Sequence, residues 1–379
     1  MLIAKMFFWV GAAGLFYIYA GYPLGVWLLA RLWPKPVKKA PYSGALSVVL
    51  VAHNEESVLP DKIKSLLNSN RTEQIAEIIV ASDGSTDRTV EIVRALDDSR
   101  IRAIEFPSRR GKASVLNDII PLCTNEIVVL TDARQKLHPN ALSALVAAFA
   151  DERVGVVSGA LVLCDSGGSA AVTKGIVRYW NYEKAIRQSE GRFSSVPGAT
   201  GALYAIRKHL FRPIPPNTLV DDVAIPMQII LQGYRCVFEA DAVVYDRPSM
   251  DGHSEAIRKR RTLAGNLQLM AFFPEWLAPW KNPIWIQFVS HKLARLFTPF
   301  LLMLIFAGSL ALAWNPLYRG CFLVQLAFYG LVVGAWRAQK VGLKLPGMGF
   351  PLAILLFNSA ILAAWGDALR GRYEVRWKR

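Results

Sequence analysis

The sequence predicts an α/β domain that is held at a membrane by apolar helices at both ends of the chain. Of its 379 residues, 53% are hydrophobic and only 19% are charged, which is too apolar a composition for an ordinary soluble enzyme. Between the apolar ends, short β-branched runs alternate with amphipathic segments. That alternation is typical of a domain built from layers of strands and helices.

The first apolar segment lies near the amino terminus. Residues 6–30 contain no charged side chain, and about 20 apolar residues are enough to cross a bilayer as a helix. A cleaved signal peptide is the alternative, but the run is longer than the apolar part of such a peptide, and no small-residue cleavage site follows it. We therefore expect residues 1–40 to form a transmembrane helix and a linker.

Three more uncharged stretches occur late in the chain, each close to the length that spans a bilayer. They cover residues 296–318, 320–336 and 345–366. Ahead of them, Trp276, Trp280 and Trp285 surround two prolines, a composition typical of a segment lying at the membrane interface. We expect residues 271–379 to contain an interfacial helix and the carboxy-terminal transmembrane helices.

The formal net charge of +15 does not indicate nucleic acid as a partner. Many of the cations flank the apolar segments, as expected for contacts with membrane lipids, and no aromatic residues are interleaved with them as in a nucleic-acid-binding surface. The cysteines lack the spacing of a zinc site or a disulfide framework. These four residues are Cys123, Cys164, Cys236 and Cys321.

Residues 41–270 are expected to form the α/β domain. The predicted strands are 46–52, 77–81, 102–106, 127–131 and 155–158, and the predicted helices are 57–69, 87–96, 112–120 and 139–149. Such alternation predicts a mostly parallel sheet. In open α/β sheets ligands bind beyond the carboxyl ends of the strands.

Polar residues follow the first two predicted strands. Asn54 and Glu55 come after one strand, and Asp83, Gly84 and Ser85 come after the next. Adjacent oxygen acceptors at strand ends can bind a base edge and ribose hydroxyls. Taken alone, the second motif is also an ordinary turn and helix cap, but together the two predict a nucleoside pocket.

Two further residues extend this candidate site. Asp132 ends an apolar strand, where a carboxylate can hold ribose or a divalent cation that bridges diphosphate oxygens. Lys112 opens a helix, and its ammonium together with the free helix N–H groups suits negative charge. An ordinary surface lysine remains the alternative for Lys112.

The motifs, taken in order, resemble those of membrane-bound family 2 glycosyltransferases, which include cellulose, chitin and poly-N-acetylglucosamine synthases. In this chain the ordered set reads Asn54-Glu55, Asp83-Gly84-Ser85, Gly111-Lys112, Asp132, Gly201, Asp221-Asp222 and Arg261. The resemblance implies a GT-A nucleotide-diphosphosugar transferase fold, with a Rossmann-like mixed sheet. It also implies that Asn54, Glu55 and the 83–85 motif contact the donor nucleoside.

By this resemblance, Asp132 is the first acid of the family's DxD motif. Arg134 stands where relatives carry the second acid, so one carboxylate for a metal is missing. Two arrangements satisfy the chemistry. Either Asp132, the diphosphate and water hold Mg²⁺ or Mn²⁺, or Arg134 itself neutralises the leaving diphosphate; the metal is our expectation.

The pair Asp221-Asp222 resembles the family's base motif. Glycosyl transfer needs one carboxylate within hydrogen-bond reach of the acceptor hydroxyl, to take its proton. The resemblance makes Asp222 the catalytic base and Asp221 a neighbour that orients the acceptor or raises the pKa of Asp222. From the residues alone, two acids at a helix amino terminus also simply suit the helix dipole.

Acceptor contacts are expected on two segments. Gly198 and Gly201 permit close backbone approach in a stretch that resembles the family's acceptor segment. The basic run 258–261 resembles the QxxRW motif, with Arg261 in the arginine position, where a guanidinium fits phosphate oxygens; binding of anionic lipid is the alternative. Arg258 replaces the glutamine and Thr262 the tryptophan, which weakens the case for processive synthesis.

These residues predict inverting transfer of a sugar from a nucleoside-diphosphate sugar, UDP-linked, to a lipid-linked or saccharide acceptor in cell-surface polysaccharide synthesis. A processive synthase that extrudes its own polymer is the alternative. A non-enzymatic transporter is a further one, disfavoured because the apolar stretches carry no charge.

We expect an integral protein of the bacterial inner membrane with a cytoplasmic catalytic domain, since the donor is cytosolic and cations follow the first span. Three later spans would put the tail 370–379 outside, although its basic residues favour the inside. The sequence leaves the side of the tail open.

Overall fold

The computed structural model of the protein describes residues 1–164, 171–246, 252–341 and 349–373. Within these ranges the central part of the chain forms strands that all join one sheet. The strands are β1 Leu46–Ala52, β2 Ile75–Asp83, β3 Ile101–Phe106, β4 Ile127–Thr131, β5 Lys136–Leu137, β6 Val154–Leu163, β7 Leu203–Arg207 and β8 Arg235–Asp246.

The sheet runs in the order β3-β2-β1-β4-β7-β6-β8-β5. From β3 to β4 the neighbours are parallel, as predicted, whereas β7 runs antiparallel to both β4 and β6. The sheet is therefore mixed. Strands β5, β7 and β8 were absent from the predicted set.

Seven helices accompany the sheet in the described central part of the chain. They are α1 Leu59–Leu67, α2 Thr89–Arg94, α3 Lys112–Leu122, α4 Ala141–Ala147, α5 Ala171–Phe193, α6 Asp221–Leu231 and α7 Gly252–Phe272. Residues on alternate sides of the central strands join two separate apolar cores. In β1, for example, Val48 and Leu50 pack into one core and Val49 into the other, because successive side chains of a strand point to opposite faces.

Four helices within the described residues are long and apolar enough to cross a membrane. They cover Leu2–Leu32, Trp285–Ala311, Pro316–Ala338 and Pro351–Leu369, so apolar helices do occur at both ends. The first packs closely on the second, since a Cβ on Gly11 would lie 2.7 Å from the Leu301 carbonyl oxygen. The predicted stretch 345–366 begins at residues that lie outside the described part.

The second of these helices starts earlier than the sequence suggested, and it includes charged residues. His291 and Arg295 lie in its first part, ahead of the predicted uncharged stretch 296–318. Both contact α5: the His291 Nε2 atom lies 2.9 Å from Glu183 Oε2 and its Nδ1 lies 2.9 Å from Glu190 Oε1, while Arg295 pairs with Glu183. Their acidic partners on α5 account for charge at this end of the helix.

The same network reaches the first membrane helix, where the Tyr22 hydroxyl donates a hydrogen bond to Glu190. Further along, Trp276 is buried within the protein: it stacks on Phe273 with ring centroids 4.3 Å apart and meets Phe288 edge-on. Trp280 is 82% exposed. These contacts fix the membrane helices against the α/β domain.

Candidate active site

The turn after β2 is built around Asp83. Its side chain is buried, and its Oδ1 and Oδ2 atoms accept the backbone N–H groups of Arg110 and Gly111 at 2.6 and 2.9 Å. Gly84, with φ +65°, lets this turn approach closely, since a Cβ there would lie 2.6 Å from the Arg109 nitrogen. Asp83 thereby positions the start of α3.

Asn54, after β1, supports the same turn. It adopts the left-handed region at φ 56°, uncommon for a residue with a side chain. Its Oδ1 accepts the Thr86 N–H at 2.8 Å, and its own N–H donates to Ser85 Oγ at 3.1 Å. The Glu55 N–H donates to Thr89 Oγ1 at 2.8 Å. The two predicted nucleoside-binding motifs therefore lie side by side.

Lys112 joins the donor side of the cleft to the base motif. Its Nζ atom lies 2.9 Å from Asp132 Oδ1 and 3.3 Å from Asp221 Oδ2. Burial lowers the pKa of Lys112, but the facing carboxylates of Asp132 and Asp221 outweigh it and raise the pKa above the ordinary value. The surface-lysine alternative is therefore wrong: this ammonium is buried and remains charged.

Asp222 follows Asp221, the first residue of α6. Its Oδ2 accepts the Gly201 N–H at 3.0 Å. Burial and the adjacent charge of Asp221 raise the pKa of Asp222. Tyr204 lies below the pair, and its pKa is also raised, by burial and by the Asp221 carboxylate. A carboxylate with a raised pKa accepts a proton more readily than an exposed one.

The loop 198–201 wraps around this carboxylate. Gly198 has φ +115°, and the N–H of Ala199 donates to the Asp222 carbonyl oxygen at 2.6 Å. Arg187, from α5, donates to Thr200 Oγ1 at 3.0 Å. The charges of Arg187 and Lys292 both act on the Asp222 carboxyl. Nothing in the sequence around Arg187 pointed to the site.

Arg261 approaches the acidic cluster from α7. Its pKa is lowered by burial, against the opposing charges of Asp221, Asp132 and Asp222. Thr262 is exposed, and its hydroxyl donates to the Arg258 carbonyl oxygen at 3.1 Å. Of the basic run, the structure therefore brings Arg261 to the cluster.

The carboxylates suit a divalent cation only in combination with a substrate. Arg134 Nη2 lies 2.7 Å from Asp246 Oδ2, so the residue in the second DxD position is held by a buried acid. No group of three or more His, Cys, Asp or Glu side chains positioned for a metal occurs in the described ranges. Asp132 offers one carboxylate, which is sufficient for Mg²⁺ where phosphate oxygens and water complete the coordination.

Comparison with known proteins identifies the fold that carries this site. Residues 47–214 match the model of Glycosyl transferase family 2. These residues form a family 2 glycosyltransferase domain. The predicted resemblance and enzyme class are thereby confirmed.

Relatives of the chain include a probable glycosyltransferase of Bacillus subtilis, which is 25% identical over 57% of this chain and 53% of the relative. A poly-β-1,6-N-acetyl-D-glucosamine synthase of Staphylococcus epidermidis is 21% identical over 58% of this chain and 57% of its own. A β-monoglucosyldiacylglycerol synthase of Nostoc is 29% identical over 30% of this chain and 25% of its own. The chain thus spans about half the length of the first two relatives, and less of the third.

One solved structure resembles this chain along nearly its whole length. A mannosyltransferase from Pyrobaculum calidifontis, solved with GDP-Man and Mn²⁺, superposes with a TM-score of 0.72 over 97% of this chain and 99% of that one, at 22% identity. The predicted GT-A fold is confirmed by this match.

Proposed function

We propose that the chain is a membrane-bound, inverting glycosyltransferase that moves a sugar from a UDP-linked donor to a lipid-linked or saccharide acceptor in cell-surface polysaccharide synthesis. The observation that carries the proposal is the meeting of Lys112 with Asp132 and Asp221 at the carboxyl ends of the strands. It joins a donor-side carboxylate to the base motif that begins with Asp221 and Asp222.

The donor nucleoside is proposed to bind at the turns after β1 and β2. Asp83 and Asn54 hold these turns together, and we expect Glu55 and the 83–85 turn to contact the nucleoside there. Fixed backbone at such a position is typical of α/β nucleotide sites. The donor diphosphate would then lie towards Lys112 and Asp132.

Transfer is proposed to occur in one displacement. The acceptor hydroxyl oxygen attacks the anomeric carbon, its proton passes to Asp222, and the bond to the diphosphate breaks with its electron pair leaving on the diphosphate. Lys112 and Arg261 stabilise the charge that develops there. The configuration at the anomeric carbon inverts because only one displacement takes place.

Asp132 is proposed to be the residue that would hold Mg²⁺ or Mn²⁺ when the donor is bound. A divalent cation there would neutralise charge on the leaving group. The solved mannosyltransferase contains Mn²⁺, which supports this proposal. Arg134, held by Asp246, would act on the diphosphate only if that ion pair opened.

The acceptor is proposed to enter between the loop 198–201 and α7, where Arg258 and Thr262 lie, and a lipid-linked acceptor is the first choice. The relative from Nostoc is named for a lipid product, and Thr262 replaces the tryptophan of the processive motif. Processive synthesis is the second candidate, favoured by the relative named as a poly-N-acetylglucosamine synthase.

We propose that residues 41–270 form the catalytic domain on the cytoplasmic side of the cell membrane, between the anchors 1–40 and 271–379. The cations that follow the first span support this orientation.

A donor screen tests the function. The purified full chain in nanodiscs that contain its host lipids would be incubated with a panel of UDP- and GDP-sugars, and nucleotide release and labelled lipid products would be measured. We expect one UDP-sugar to be consumed with a lipid-extractable product of inverted configuration. Consumption of no donor, or of a GDP-sugar alone, would contradict the proposal.

A further inference from the structure

Lys62 occupies a position where the sequence pattern calls for an apolar residue. It lies on α1 among Leu59, Ile63 and Leu66, the face that packs into the core, and it is 1% exposed. Lysine is almost never fully buried unless it is paired. A charged residue held here therefore requires an explanation beyond packing.

The ammonium of Lys62 bonds to the two sides of the turn that carries Asp132. Its Nζ atom donates to Thr131 Oγ1 at 2.7 Å and to the Gln135 carbonyl oxygen at 2.9 Å. Thr131 in turn donates to the Ala202 carbonyl oxygen at 2.6 Å. Lys62 thus ties the 132–134 turn to α1 and, through Thr131, to the loop beside Asp222.

Both direct partners of Lys62 are neutral. Among the described residues no carboxylate lies within ion-pair distance of it, and the charge acting on it is that of Asp132. The Asp132 carboxylate is itself bound by Lys112 at 2.9 Å. Lys112 also lies 3.3 Å from Asp221, so two carboxylates face its ammonium, and a protonated Lys62 adds a further positive charge near Asp132 that would favour a bound anion.

We infer that Lys62 is a positioning residue for the donor, which fixes the turn of Asp132 and supplies a positive charge behind the site of the donor diphosphate. The inference rests on the proposed function and deepens it, because it assigns the diphosphate-binding energy partly to a residue that does not touch the substrate. A charge excluded from water is screened little by salt and interacts strongly with other charges.

The charge of Lys62 depends on what is bound near it, because its ammonium form is only partly populated near neutral pH. Burial lowers its pKa to about 7, while the Asp132 carboxylate opposes that shift. A diphosphate bound beyond Asp132 would add negative charge and favour the ammonium form further.

Comparing a nucleoside diphosphate with the matching monophosphate separates the two possible effects of losing Lys62. A charge effect weakens mainly the binding of the diphosphate, whereas a general loss of structure weakens the binding of both nucleotides. Affinities for UDP and UMP, or for GDP and GMP if the wild type binds guanine nucleotides, would be measured by calorimetry on the full chain in detergent with Mg²⁺. Lys62→Met removes the hydrogen bonds and the charge, while Lys62→Gln keeps hydrogen-bonding capacity without the charge. Lys64→Met on the exposed side of the same helix is the matched control.

We expect both Lys62 variants to weaken diphosphate binding about tenfold while monophosphate affinity and the control stay unchanged. Equal loss for both nucleotides, or a Lys62→Gln variant that keeps the wild-type ratio, would overturn the inference. A wild type that binds none of the four nucleotides would instead refute the proposed function. The melting temperature of each variant checks that it is folded. If the Lys62→Met variant does not fold, the milder Lys62→Gln variant alone tests the inference.

Discussion

The backbone N–H of Gly201 donates a hydrogen bond to Asp222 Oδ2 at 3.0 Å. This contact holds the carboxylate in place, and a Cβ on Gly201 would itself lie 3.0 Å from the same oxygen. The loop therefore packs so closely against the proposed base that a side chain at position 201 would displace the carboxylate.

Gly201→Ala tests that match. The added methyl group must push the Asp222 carboxylate aside by a few tenths of an ångström, and we expect kcat to fall about tenfold because proton transfer depends on this geometry. Turnover and melting temperature would be measured together. Gly320→Ala, where a Cβ meets nothing within 4 Å, is the control, and an unchanged kcat in Gly201→Ala would contradict the role of the loop.

The pH dependence of turnover follows from the Asp222 carboxyl. Burial and the charge of Asp221 raise its pKa, and the base works only when deprotonated, so activity is lost as pH falls through this raised pKa. The acidic limb of kcat/KM should lie above the ordinary range of an aspartate. Asp221→Asn removes one cause of the shift and should move that limb to lower pH; a limb that stays in place would show that another group sets it.

Chelation tests the proposed cation. With one protein carboxylate, Asp132, a cation must depend on the donor diphosphate, and we expect excess EDTA to lower turnover at least about 100-fold. Added Mg²⁺ or Mn²⁺ should restore it. Undiminished turnover in EDTA would favour the arrangement in which Arg134 neutralises the diphosphate.

The buried network between α5 and the membrane helices predicts a stability effect. Glu190 accepts hydrogen bonds from Tyr22 and His291, so Glu190→Ala should cost about 3–5 kcal/mol, as when one partner of a buried pair is removed. The melting temperature in detergent measures the loss. Glu91→Ala, on the exposed face of α2, should melt like the wild type; equal melting of both variants would contradict the network's role.

The parallel half of the sheet could be predicted because each strand is a β-branched run that ends in polar residues. Strand β7 was missed because its five residues, Leu203–Arg207, are buried on both faces and show no alternation of apolar and polar side chains. Strand β8 carries Glu239 and Asp241, which are unusual in a strand. The pairing of β7 and β8 depends on strands that are distant from them in the sequence.

The candidate site, like the sheet, could be predicted from the sequence only in part. Motif order identified Asp132, Asp222 and Arg261, since strand ends and helix starts meet at one edge of the sheet. That Lys112 joins Asp132 to Asp221 depends on how three elements pack. Arg187 reaches the site from a long helix whose local sequence carries no signal.

The central claim is that Asp222 takes the acceptor proton during transfer, and one comparison tests it most directly. The donor is the nucleotide sugar that the wild type consumes in the donor screen. With that donor and with acceptor present, the initial rate of nucleotide release would be measured for the wild type, Asp222→Asn and the exposed control Asp241→Asn. We predict that Asp222→Asn loses at least about 1000-fold while its nucleotide affinity and the control stay at wild-type levels. An Asp222→Asn variant with near-wild-type turnover would contradict the account.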